Sequence, residues 1–171
     1  MHPGTPSSKN PTLRLLPATE ATLLWELGAG CCPDALCRVV IPASWPPADY
    51  DLNVIRKFLG MTQEPGQFYF FYWIAVGGPD DNTLVGSGGF ILLPSGDYEL
   101  GYAVAEACRN KGYAAEGVRA IVAWLRDSGY QGRIIATTQA TNDASVQVLE
   151  NNGFTRTEPQ ADTDLIGFEC R

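Results

Sequence analysis

The chain has 171 residues, 45% of them hydrophobic and 18% charged, and a formal net charge of −7. That length suits one domain with a real core, and the composition is that of an ordinary globular protein. The acidic balance excludes a general nucleic-acid binder, because phosphate backbones require clustered Lys and Arg; it suits cationic amine substrates and also serves solubility.

The five cysteines, Cys31, Cys32, Cys37, Cys108 and Cys170, are odd in number and form no Cys-x-x-Cys unit. This speaks against a disulfide framework or a zinc site, so free thiols in a reducing cytoplasm are expected. His2 is the only histidine, and it lies in the predicted tail, so neither a His-based triad nor a His metal site is available. No run of 18 apolar residues predicts a membrane span, and no basic-then-apolar leader is visible. A cytoplasmic protein is the expectation, as monomer or homodimer.

Residues 1–11 hold three prolines, two serines and Gly4 and read as a disordered tail, with one domain over 12–171. Thr12 to Leu16 reads as a first strand ended by Pro17. Thr19 can cap a helix from Glu20 to Leu27, closed by Gly28 and Gly30. Residues 31–47 are broken by Pro42, Pro46 and Pro47, with Val39, Val40 and Ile41 as a strand fragment. A second helix is predicted over Ala48–Leu59, with Leu52, Ile55 and Leu59 inward and Gly60 as its stop. Gln67–Val76, aromatic and β-branched, predicts a strand. Turn chemistry at Gly77–Asn82 joins it to Thr83–Leu92 in a hairpin. Gly86, Gly88 and Gly89 inside that second strand mark a bulge, a close backbone approach, or small residues under packed aromatics. After Pro94–Asp97, Tyr98–Val104 pairs antiparallel.

Ala114, Val118, Ile121, Val122 and Leu125 recur at helical spacing, predicting a helix over Ala114–Ser128 with Gly129 as stop. Arg133–Thr138 is then the return strand of a crossover, parallel to Tyr98–Val104. Thr141-Asn142 caps a further helix to Asn152, and Gly153 ends it. Phe154–Thr157 and Leu165–Cys170 read as a closing strand pair.

The loop Arg109-Asn-Lys-Gly-Tyr-Ala114 therefore sits on a helix N-terminus. Several backbone N–H groups there lack intrahelical partners and the dipole is positive. Gly112 lets the backbone curl toward a ligand. Arg109 and Lys111 add charge, so the loop reads as a site for phosphate or pyrophosphate. A Walker loop is excluded because Lys precedes Gly, and a dinucleotide fingerprint lacks its third glycine.

Arg109-x-x-Gly112-x-Ala114 after a strand containing Gly101-Tyr-Ala-Val104 resembles the acetyl-CoA loop of the GNAT superfamily of N-acetyltransferases. Glu99-Leu-Gly-Tyr102, Arg109–Glu116 and Asn142–Phe154 look more closely like the branch of ribosomal-protein-alanine N-acetyltransferases. The resemblance covers roughly residues 12 to 170. It implies an α/β fold: a mixed, mostly antiparallel sheet with helices on both sides, and two splayed parallel strands at its centre. It implies acetyl-CoA as co-substrate, with the pantetheine arm on the backbone of Ala103, Val104 and Ala105. The pyrophosphate would lie on Arg109, Asn110, Lys111, Gly112, Tyr113 and Ala114, with Asn142 on the pantetheine and Ser145 on the CoA sulfur. An amine acceptor, a protein N-terminus or a small molecule, would attack the thioester directly. Glu99 is the acidic candidate for base, or else a structural residue; Trp45 lines the acceptor pocket, or else packs on the core edge. Asn142 and Ser145 are equally a helix cap and a first-turn residue. The chain departs from the commoner pattern at Leu149, where many members place an acidic tyrosine, and at Glu106-Ala-Cys108. A non-catalytic acyl-CoA sensor carries the same loop and is the alternative reading.

Overall fold

The computed structural model describes residues 12–158 and 163–171; the predicted tail at 1–11 lies outside the described residues. Seven strands form one sheet: β1 (Leu13–Pro17), β2 (Phe68–Ala75), β3 (Leu84–Leu92), β4 (Tyr98–Val104), β5 (Ile134–Gln139), β6 (Thr155–Arg156) and β7 (Leu165–Cys170). Their order is β1-β2-β3-β4-β5-β7-β6. All neighbours run antiparallel except β4 and β5. This is the mixed sheet expected, with helices α1 (Glu20–Glu26), α2 (Leu52–Gly60), α3 (Tyr113–Asp127) and α4 (Asp143–Asn151). No helix among the described residues is long and apolar enough to cross a membrane.

Alternation along the strands divides the core. One cluster takes Leu13, Leu15, Phe71, Trp73, Phe90 and Leu100 together with Val118, Ile121 and Leu125 of α3 and Val146 and Leu149 of α4. The other takes Phe70, Tyr72, Ile74 and Leu84 with Leu23 of α1 and Ile55 and Phe58 of α2. The period-two register of β2 thus sends consecutive aromatic residues to opposite helix layers.

Two predicted elements move. The second helix begins at Leu52, not Ala48, because the Asp51 carboxylate caps it by accepting from the Asn53 N–H at 2.8 Å. Phe58 is its buried aromatic and Leu59 only partly buried, and its C-cap is Met61, so Gly60 is the last helical residue rather than a left-handed stop. Val39–Ile41 contributes a single parallel bridge, Val40 to Thr83, and no strand.

The glycines of β3 serve both a bulge and a close approach. The register of β2 on β3 shifts between Trp73 and Ile74. Trp73 is fully buried, and its indole lies against Gly86 and Gly88 of β3 and Gly117 of α3. A Cβ on Gly117 would stand 2.4 Å from two carbons of that ring. Alanine normally gains up to about 1 kcal/mol over glycine inside a helix. Here the sign is expected to reverse: Gly117→Ala should lose about 1–3 kcal/mol by overpacking. A melting temperature lower by about 3–10 °C in a thermal scan checks this.

Candidate active site

The parallel pair is short. β4 and β5 are in register only at Tyr98 with Ile134 and Glu99 with Ile135, and beyond that they part. Tyr98 N–H donates across to the Arg133 carbonyl at 3.1 Å, so even-numbered residues of β4 turn their backbone toward β5. Ala105 N–H donates the other way, to the Val85 carbonyl at 2.9 Å. Expected free, Ala105 is therefore committed to β3, and by the same alternation Ala103 faces β3 as well. The backbone groups that face the gap are those of Tyr102 and Val104. The Val104 carbonyl already accepts from Arg109 Nε at 3.2 Å, which leaves its N–H for a ligand.

Past β4 the chain makes a short 3-10 turn, Glu106–Cys108, and enters the loop before α3. Asn110 and Gly112 are both left-handed, at φ 61° and 84°. Gly112 is the N-cap of α3 and supplies no side chain to cap it. Among the described residues no intramolecular acceptor faces the N–H groups of Asn110 to Ala114; the first bond back is Glu116 N–H to Gly112 O at 3.2 Å. Successive N–H groups with alternating handedness form a concave anion nest at the positive end of a helix.

The loop's side chains behave differently from the expectation. Lys111 Nζ meets both oxygens of Asp80, at 3.0 and 2.9 Å. Tyr113 OH donates to the same carboxylate at 3.0 Å. The Lys111 bond is the main reason the Asp80 carboxyl is held below its usual range, and burial with Asp80 beside it pushes Tyr113 up to about 12. Arg109 pairs with Asp49 at 3.1 Å. Both cations thus brace the loop to neighbouring segments, and its backbone supplies the open donors.

Two clefts meet at the gap. The smaller, about 360 Å3, is lined by Ala103, Val104, Arg109, Asn110, Gly112, Tyr113, Ala114, Asn142 and Ser145. Those are the predicted cofactor residues apart from Ala105 and Lys111. The larger, about 700 Å3, opens on the α2 side between Tyr50, Ile55, Phe58, Phe70, Ser87 and Glu99. Asp49, Tyr102 and Ala103 border both.

Glu99 is half-buried and lines the larger cleft. It lies four residues before Ala103, about 13 Å along the strand. Trp45 lines neither cleft. Its ring packs against Tyr50 with centroids 5.8 Å apart, so it supports the wall instead of forming it. Ser145 sits in the first turn of α4, where its N–H donates to Asn142 Oδ1 at 3.1 Å. Its hydroxyl is 2.8 Å from Tyr102 OH.

Tyr102, Asp49, Asp80, Tyr50 and Ser87 were not singled out from sequence. Tyr102 could have been, since it alternates with Val104 on β4. Burial pushes its hydroxyl above the ordinary value, with the Ser145 bond offsetting part, so it remains a proton donor through neutral pH.

A splayed parallel pair, an anion nest at the start of the following helix and a Ser–Tyr pair across the gap lie together where the two clefts meet. The model of the acetyltransferase (GNAT) domain matches residues 13–155, and the chain belongs to that family. An uncharacterized N-acetyltransferase of Bacillus subtilis, YjdG, is 31% identical over 114 residues, 64% of this chain and 66% of that protein. Among solved structures, a putative GNAT-family acetyltransferase from Bordetella pertussis superposes with a TM-score of 0.67 at 22% identity, covering 97% of this chain and 98% of that one. RimL, a ribosomal alpha-N-protein acetyltransferase in complex with coenzyme A, gives 0.63 at 19% identity, covering 95% and 96%. At those identities the two structures speak to the fold.

The Asn142 cap is expected to hold α4 in place before any ligand binds. Asn142→Ala should cost about 1 kcal/mol. A lower melting temperature of the free protein checks it.

Proposed function

We propose that the protein is an acetyl-CoA-dependent N-acetyltransferase that carries the acetyl group to a primary amine, a protein N-terminus or a small molecule, in a ternary complex. The observation that carries this is the meeting of two clefts at the unpaired end of β4. One side presents a nest for a pyrophosphate, the other a pocket with aromatic walls, and Ala103 borders both. Donor and acceptor can therefore reach one point from opposite faces of the sheet, which replaces a bimolecular encounter by a fixed geometry.

In this reading the nest N–H groups of Asn110 to Ala114 hold the pyrophosphate, and Arg109 and Lys111 tune the charge around it. The Val104 N–H points where the thioester oxygen gains negative charge and stabilises it. The nitrogen–carbon bond forms as the carbon–sulfur bond breaks. The Tyr102–Ser145 pair gives a proton to the departing sulfur, the task left open by Leu149. The larger cleft is lined by Asp49, Asp51 and Glu99 against Lys57. This favours an acceptor that arrives as a cation with an apolar body. Glu99, set back along β4, holds that charge and draws off the ammonium's proton through water.

Acetyl-CoA should raise the melting temperature by mass action. Gly112→Val should remove that shift, because the nest needs φ near 84° and a β-branched residue is strained there. No shift of the wild-type protein at millimolar acetyl-CoA overturns the assignment. Binding without thiol release across an amine panel selects the sensor reading instead.

Ser145→Ala and Tyr102→Phe should each lower kcat by about tenfold or more and weaken acetyl-CoA binding less than that. Glu99→Gln should depress the rate most at low pH, where the amine is protonated. It should also flatten the rise of the amine KM with salt. Wild-type rates across the pH range would return Glu99 to a structural role.

A further inference from the structure

The described residues hold one buried carboxylate whose oxygens have no hydrogen-bond partner. Glu26 ends α1 and is 9% exposed, and neither Oε1 nor Oε2 is bonded. The groups around it are donors, not cations: Tyr72 of β2, and Tyr50 and Trp45 of the segment before α2. They stand close enough to act on its charge without completing a bond. Trp45 Nε1 is itself buried and unbonded. Tyr72 OH turns to the Thr22 carbonyl at 3.4 Å. Tyr50 OH lies 3.4 Å from Ser87 Oγ. Burial pushes the Glu26 carboxyl above its ordinary 4.5, and those neighbours offset only part. Burial and the Glu26 charge likewise raise Tyr50.

This cluster lies on the row of the sheet that leads to the gap. Tyr72 is in register with Ser87, and Ser87 with Ala103. Their side chains share the α1–α2 face, each neighbour about 5 Å from the next. Tyr50 and Ser87 line the larger cleft, and Ala103 borders both clefts. Glu99 by contrast sits on the row of Ile91, four residues away from the acetyl end.

We infer that Glu26, acting through the Tyr50 hydroxyl, is the proton-accepting end of a relay for the amine that attacks beside Ser87. The inference rests on the transferase reading. When the amine enters, the Tyr50 hydroxyl closes on Glu26; as the nitrogen–carbon bond forms, the nitrogen's proton passes to Tyr50 Oη while Tyr50's own proton passes to a Glu26 oxygen. The carbon–sulfur electron pair leaves on sulfur, which is protonated by Tyr102. Glu26 then returns its proton to water entering the cleft, and Tyr102 recovers one from water. Tyr50 never carries net charge, so its raised proton affinity is no obstacle. A carboxylate whose proton affinity burial has raised is a better base than an exposed one. Glu26 is a positioning and proton-holding residue here; Tyr50 is the group that touches substrate.

The test uses acetyl-CoA and n-butylamine with thiol release as readout, beside infrared titration of the Glu26 carboxyl against Glu26→Gln. Glu26→Gln and Tyr50→Phe should each lower kcat/KM for the amine about a hundredfold. The acetyl-CoA KM should stay within about twofold, since neither residue touches the nest. Taken relative to the concentration of free amine, the wild-type rate should fall further as pH drops through a carboxyl value above 4.5, and both variants should lose that added fall. Glu26→Gln should melt no lower than wild type above that value, because a raised carboxyl withdraws stability as pH rises through it and the neutral amide does not. That separates a lost relay from a damaged fold. An unchanged added fall in both variants overturns the inference, and so does a Glu26 band titrating at the ordinary value and indifferent to n-butylamine. If wild-type protein releases no thiol with n-butylamine or an alanyl peptide, the transferase reading fails, and the infrared arm alone decides Glu26. A raised band shifted by n-butylamine in wild type but not in Tyr50→Phe sustains the contact; a band unmoved in both overturns it.

Discussion

The packing of Trp73 against three glycines governs how the helix layer meets the sheet. Its indole fills a slot whose floor is Gly86 and Gly88 and whose roof is Gly117. Bare backbone on both sides lets α3 sit closer to β3 than side chains would permit. A rigid ring in a close-packed interior leaves little freedom to slide or tilt. The start of α3 is therefore fixed relative to the end of β4. The nest inherits its geometry from a core contact that no ligand touches. Trp73 Nε1 remains buried and unbonded, so fit has been kept at the expense of a hydrogen bond.

The sheet and its helices were legible because their signals are local. The aromatic run of β2, the helical spacing of α3 and the left-handed glycines at 129 and 153 each act within a few residues. The anion loop was legible for the same reason. What could not be read was set by contacts distant in sequence. Lys111 was expected on a phosphate and is held by Asp80, 31 positions away. Arg109 meets Asp49 across 60. The free backbone of β4 depends on which strand each N–H faces, and only the register decides that: Val104 stays open and Ala105 does not. The segment 31–47 lacks periodicity because prolines break it, and its Trp45 is placed by a ring contact no pattern announces.

Polar groups are distributed unevenly over the two faces. On the nest side, charged side chains are paired and partly exposed, where ion pairs contribute little to stability and much to placement. On the α1–α2 side, Glu26 is sequestered among aromatic rings without a counter-charge. A fold selected for stability alone would replace that carboxylate with a hydrocarbon. Its position behind Tyr50, which lines the larger cleft, is what the relay inferred above requires.

The Arg109–Asp49 pair lets the charge state of one cleft be felt in the other. Asp49 borders both clefts, and in the free protein its charge is partly answered by a guanidinium that belongs to the nest. An anion in the nest competes for that guanidinium and leaves Asp49 more negative toward the other cleft. A cation drawn to Asp49 loosens Arg109 in turn, and linkage requires the two effects to be equal. The pair is exposed, so the coupling is modest and weakens with salt. On the transferase reading, ligands in the two clefts would thus be felt by one another through a single shared ion pair.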